Sequence, residues 1–190
     1  MPGLSIGAYI AWQYAAGEAA EAGHPYIEAR HVFLGILSLE KALRDREGPE
    51  LRWNEREELR VEADVVEQVL SRLGVEAAAL RRTVRGKIGR GSHFHGGDIV
   101  HRSQKCRALF AQSQSLAGQE KSLTALHLLV TISNDTADGM SHLLTEVGIV
   151  PTELGEIARN HIQYVEAKSS KPEPTQAKGR GKRGRSRSTR

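Results

Sequence analysis

A segment is written twice in this chain, and that duplication constrains the fold more than any single residue does. Ile10, Tyr14, Ile27, Ala29, His31 and Ile36 recur 96 positions later as Cys106, Phe110, Leu123, Ala125, His127 and Ile132. Val66, Leu70, Gly74, Val75, Leu80, Val84 and Ile88 recur 74 positions later as Met140, Leu144, Gly148, Ile149, Leu154, Ala158 and Ile162. The two offsets differ by 22, so the first copy carries an insertion of that length, placed at 42–63. Self-similarity of this kind marks a supersecondary unit that buries its apolar face against its twin.

The units read as helical. Alanine and leucine fill most apolar positions and aromatic residues make up only 5% of the 190 residues, which favours close-packed helices over a β-sandwich. The apolar spacing predicts an all-α body of two tandem four-helix repeats with pseudo-twofold symmetry, eight helices in all, at 4–22, 28–43, 65–73, 77–88, 102–116, 123–133, 137–147 and 151–164. Gly74 suits a helix stop because it reaches the left-handed region without a Cβ penalty, Ser122 is placed to cap the sixth helix, and Pro151 sits at a permitted first-turn position. Repeat one covers 4–88, a glycine-rich linker 89–101, and repeat two 102–166, so the folded body is 1–166. Residues 167–190 hold no large apolar side chain and are expected to form a disordered basic tail.

Charge is divided between these parts. Residues 168–190 carry nine Lys or Arg against Glu173, a net of +8, while the first 167 residues are net −4. The chain's excess of positive charge therefore belongs to the tail and describes no basic surface on the body. Cys106 is the only cysteine, which excludes an internal disulfide and fits a reducing, cytoplasmic setting. No apolar run approaches the roughly 20 residues needed to cross a bilayer, and no export segment or membrane partner is expected.

The run Gly23-His24-x-Tyr26-Ile27-x-x-x-His31-x-x-x-Gly35-Ile36-Leu37, followed by Leu73-Gly74-Val75 and then Leu80-x-x-x-Val84-x-x-x-Ile88-Gly89-Arg90-Gly91, resembles the amino-terminal Clp repeat domain. The likeness runs from Gly23 through Gly91 and resumes from Ser103 to Ile162. It implies a freestanding, non-enzymatic docking module of the Clp system, whose partners would be a Clp unfoldase, its protease core, an adaptor or a substrate polypeptide. Modulation of ATP-dependent proteolysis would follow. No G-x-x-x-x-G-K-[ST] motif is present to wrap a triphosphate, so the chain is not itself the motor, and no cofactor is expected. In relatives that capture phosphorylated arginine, a glutamate precedes each repeat's histidine. Arg30 and Leu126 stand at those positions here, a cation and an apolar side chain, and neither accepts a guanidinium.

Arg30 and Leu126 are nonetheless candidate protein-binding residues, together with Trp53 in the charged insertion. A tryptophan in such a segment either tucks against the body, the commoner outcome, or anchors a partner. His31 and His127 invite a catalytic or metal role, but no second ligand recurs with them, and an imidazole at a helix start serves to fix the turn. His93, His95 and His101 cluster in the linker with Asp98 as the only nearby acid, too poor a set for zinc. Cys106 reads as a small hydrophobe on a packed helix face. Gly86, Gly89 and Gly91 close a helix where a phosphate cradle would open one. No catalytic or metal-binding residue is therefore assigned. Lys178, Arg180, Lys182, Arg183, Arg185, Arg187 and Arg190 form a polyanion-binding candidate, which supports an alternative reading as a nucleic-acid-associated protein. Without interleaved aromatics to stack on bases, any such binding would be weak and sequence-independent.

Overall fold

The computed structural model describes residues 3–45, 50–118, 121–135 and 139–169. Those residues form nine helices and no sheet: α1 (Ile6–Glu21), α2 (Ala29–Ile36), α3 (Leu39–Arg44), α4 (Trp53–Arg72), α5 (Ala77–Ile88), α6 (Gln104–Ala117), α7 (Ala125–Ser133), α8 (Met140–Glu146) and α9 (Pro151–Ser169). The all-α expectation holds. The count of eight does not, because the segment expected at 28–43 is two helices. α2 ends at Ile36 with Leu37 as its C-cap, the Ser38 hydroxyl donates to the Leu34 carbonyl at 2.7 Å, and α3 starts separately at Leu39.

The insertion is also more ordered than its charge suggested. α4 begins at Trp53, twelve residues before the expected start at Val65, so its first half is inserted sequence. Glu55 accepts from the Arg52 N–H at 2.8 Å and caps this added half, while Leu59 is fully buried and Ala63 nearly so. At the other end of the body, α9 runs to Ser169, past the expected tail boundary at 167. The tail candidates from Lys178 to Arg190 lie outside the described residues.

Two of the sequence offsets are reproduced in space. At offset 74, Gly74 and Gly148 both take positive φ, +72° and +83°. In the two copies Val75 N–H reaches the Leu70 carbonyl at 3.1 Å and Ile149 N–H the Leu144 carbonyl at 2.9 Å. At offset 96, Ile27 matches Leu123, and α2 and α7 start at Ala29 and Ala125. The first helices of the repeats are different, for their register is 98. Ser5 caps α1 by accepting the Ala8 N–H at 3.1 Å, and Ser103 caps α6 by accepting the Cys106 N–H at 3.0 Å. Cys106, Leu109, Phe110, Ser113 and Ala117 then correspond to Ala8, Ala11, Trp12, Ala15 and Ala19, which face the core, whereas the 96-residue register would pair Leu109 and Ser113 with the outward Gln13 and Gly17. Ile10 and Tyr14 are thus not the mates of Cys106 and Phe110. The cap of α7 is likewise Thr124, not Ser122.

The repeats are stitched by main-chain bonds that obey the same symmetry. Ser5 N–H donates to the Leu123 carbonyl at 2.9 Å and Leu123 N–H to the Gly3 carbonyl at 3.2 Å. In the mirrored seam, Ser103 N–H donates to the Ile27 carbonyl at 3.0 Å and Ile27 N–H to the His101 carbonyl at 2.9 Å. Each repeat's first helix therefore starts against the loop of the other repeat. Between them Phe33, Leu34, Leu128, Leu129 and Val130 are at most 2% exposed, each such side chain contributing about 1.5–3 kcal/mol of burial energy. The central pair α2 and α7 is therefore apolar almost all round, as a helix buried on every side must be.

Candidate binding groove

The inserted half of α4 brings Val61 and Glu62, with Val65 one turn further on, beside the start of α7 and the end of α9. Together with Leu126, Ile162 and Val165 they line an apolar groove of about 240 Å³. Val61 and Val165 form its open rim, 56% and 48% exposed, and Leu126 is buried in its wall at 8%. The equivalent position in repeat one, at His31 and Ile88, is walled differently for a local reason: α8 begins at Met140 without the inserted turns of α4, and α5 ends at Ile88 where α9 continues to Ser169.

Glu62 holds this arrangement together. Its carboxylate accepts the Gly7 N–H at 2.9 Å, the Ser5 hydroxyl at 2.9 Å and the Ala125 N–H at 3.1 Å, so one inserted side chain caps the N-termini of α1 and α7 at once. Helix N-termini favour an anion through their unpaired N–H groups and dipole. Burial nevertheless pushes the Glu62 carboxyl above the usual carboxylate range, against the pull of these three donors. A Cβ on Gly7 would sit 2.6 Å from the Glu62 carboxyl, so any larger residue there would displace this carboxylate.

The two repeat histidines are turn-fixing groups. His31 Nδ1 accepts the Glu28 N–H at 2.9 Å, which leaves its proton on Nε2, aimed at His24 Nδ1 2.7 Å away. Burial, the Arg30 cation and His24 hold His31 down to about 3, and burial and Arg30 also lower His24. Both rings are neutral at physiological pH. His127 Nδ1 accepts the Thr124 N–H at 3.2 Å in the matching turn. In the linker, His95 Nε2 donates to the His24 carbonyl at 2.8 Å and its ring packs edge-on to His93, 4.5 Å between centroids. Among the described residues no group of three or more His, Cys, Asp or Glu side chains is placed to hold a metal. Cys106 is fully buried.

The sequence candidates are dispersed by the fold. Leu126 lies in the groove. Arg30, its repeat mate, is half-buried and pairs with Glu28. Trp53 is not tucked against the body: it is the first residue of α4 and 83% exposed. About 12 Å along the helix, at 1.5 Å per residue, α4 reaches Val61 and the groove. Val61, Glu62 and Val165 are not among the sequence candidates and Ile162 figures there only as a repeat position, although Val61 and Val65, one turn apart in an otherwise charged stretch, form a legible apolar pair.

No protein-family model matches the sequence, and no curated protein matches it. The crystal structure of the Hsp104 N-terminal domain from Candida albicans does match in fold. It superposes with a TM-score of 0.61 over 89% of this chain and 93% of that domain, at 11% sequence identity. The helical repeat architecture is shared, and at this identity the likeness is one of fold alone.

Proposed function

We propose that this chain is a non-enzymatic protein-binding module of the Clp system, acting in the cytoplasm as an adaptor-like partner of an unfoldase or its protease. The apolar groove between α4, α7 and α9 carries the reading. A body that presents a concave apolar surface of Val61, Val65, Leu126, Ile162 and Val165 at its rim is built to hold an apolar segment of another polypeptide. The fold shared with the Hsp104 N-terminal domain and the Clp-like motifs of both repeats support assigning that segment to an unfoldase, protease, adaptor or substrate. Trp53, exposed at the far end of the same helix, would extend the contact as an aromatic anchor.

Co-purification with the full chain as bait tests this reading. Recovery of a Clp unfoldase, protease subunit or adaptor that is lost with Val61→Asp/Val165→Asp bait supports it; no Clp component with either bait counts against it. A second reading rests on the net charge of +8 in residues 168–190. Association with RNA that collapses between low and moderate salt, and disappears when the seven basic residues from Lys178 to Arg190 are replaced by glutamine, would favour a polyanion-binding role instead.

A further inference from the structure

Ile88 and His31, the repeat-one mates of Ile162 and His127, line a second cleft of about 450 Å³ whose chemistry differs from that of the groove. One wall is the end of α1, with Glu18 and Glu21; the other is the last turns of α5, with Arg82 and Arg85. Gly89, at φ +73°, turns the chain out of α5, and Arg90 lines the same cleft one residue later. Leu34 and Ile88 give it an apolar lining.

The ion pairs within it are unequal. Glu18 is 5% exposed and held by Arg81 and Arg85, the latter at 2.7 Å, and Arg85 also reaches Glu21 at 3.0 Å. Two carboxylates and two guanidinium groups thus engage one another. Arg82 and Arg90 are exposed and have no ion-pair or hydrogen-bond partner among the described residues. The cleft is left with two uncommitted planar forks, on a body whose first 167 residues are net −4.

We propose that this cleft binds an acidic segment of a partner polypeptide, with a side-chain carboxylate held by Arg82 and Arg90 and a neighbouring aliphatic side chain against the partly exposed Ile88. Guanidinium forks match a carboxylate in shape and charge, and the apolar lining rewards a hydrocarbon beside it. A nucleic acid fits less well: its continuous charge would meet Glu21 and an acidic body, and the one aromatic ring in the lining, His31, is fully buried and closed to a base. The site is independent of the groove, so it stands or falls separately from the function proposed above.

The test uses the full chain and a fluorescent octapeptide of alternating Glu and Val that carries a photo-crosslinker, with the Gln-Val octapeptide as control. The basic tail also attracts the acidic probe, so crosslinks mapped by mass spectrometry separate the two locations. The expected result is crosslinking to 82–90 that the Gln-Val probe does not show, weakened about tenfold in R82E/R90E and unchanged in the groove variant Val61→Asp. Crosslinks confined to 178–190, an R82E/R90E variant that labels 82–90 undiminished, equal labelling by the Gln-Val probe, or displacement from 82–90 by inorganic polyphosphate at lower charge concentration than by free acidic peptide would each overturn the proposal. Should R82E/R90E lose its helical circular dichroism, R82Q/R90Q carries the same comparison.

Discussion

The Ser113 hydroxyl donates to the Thr131 hydroxyl at 2.8 Å between α6 and α7, at the place where repeat one sets Ala15 and Gly35 between α1 and α2. Thr131 in turn donates to the His127 carbonyl at 2.9 Å. The two copies thus solve one packing problem in two ways. Repeat two bridges the helices with buried hydroxyls, and repeat one closes them so tightly that a Cβ on Gly35 would lie 1.9 Å from the Ala11 carbonyl oxygen.

Gly35→Ala therefore forces two backbones apart and is expected to cost more than about 3 kcal/mol, since neither α1 nor α2 offers a flexible side chain to move. Thr131→Val removes one net hydrogen bond and leaves Ser113 its alternative acceptor, the Leu109 carbonyl at 2.9 Å, so about 1 kcal/mol is expected. Urea unfolding of the two variants measures the difference, and equal losses would contradict the close-packing account.

Glu62→Ala orphans the Gly7 and Ala125 N–H groups and is expected to destabilise by about 2–4 kcal/mol. Because the Glu62 carboxyl lies above its ordinary value in the folded state, its ionisation opposes folding. The associated stability is present below about pH 4.5 and declines as pH rises through the folded value, so the penalty of Glu62→Ala shrinks on going from acid to neutral pH. Urea unfolding at several pH values reads both effects.

Acid acts on the same repeat through its histidines, with the opposite sign. His31 and His24 titrate below 6.5 in the fold, so unfolded chains take up protons first as pH falls. The stability they contribute is complete above pH 6.5 and is lost between there and about 3 for His31, at no more than about 1.4 kcal/mol per pH unit per proton. Arg30, His24 and Glu28 are the charged or titratable groups acting on His31 and its partner ring. His31→Asn places an oxygen where Nδ1 accepts the Glu28 N–H and removes the titration; its stability should fall less steeply between pH 7 and 5 than that of the parent chain.

Trp53→Ala is expected to leave stability within about 0.5 kcal/mol, because the side chain is 83% exposed. If Trp53 anchors a partner, capture drops while the melting temperature stays. A lowered melting temperature would instead place the ring against the body.

The repeat was legible because glycine stops and β-branched or leucine core positions leave a sparse, unambiguous pattern: Gly74 and Gly148, or His31 and His127, fix their offsets alone. α1 was misaligned by two residues because its alanine-rich sequence looks apolar in several registers, and only the caps Ser5 and Ser103 distinguish them. The charged insertion concealed a helix, since its stability comes from Leu59 and Ala63 on one buried face and from capping, not from hydrophobic content. The groove was the least legible part. Val61, Leu126 and Val165 belong to three elements that local spacing cannot bring together, and only Leu126 had drawn attention, through its place before a histidine.

The reciprocal bonding of Ser5 and Ser103 to Leu123 and Ile27 has an evolutionary corollary. A single ancestral copy could form these inter-repeat bonds only with a second molecule in place of water, so gene duplication would have joined a homodimer end to end. Once fused, the halves were free to diverge, repeat one gaining the added turns that wall a greasy trough against repeat two and an arginine-lined slot of its own, and a module cut at the linker should re-form the assembly from its pieces.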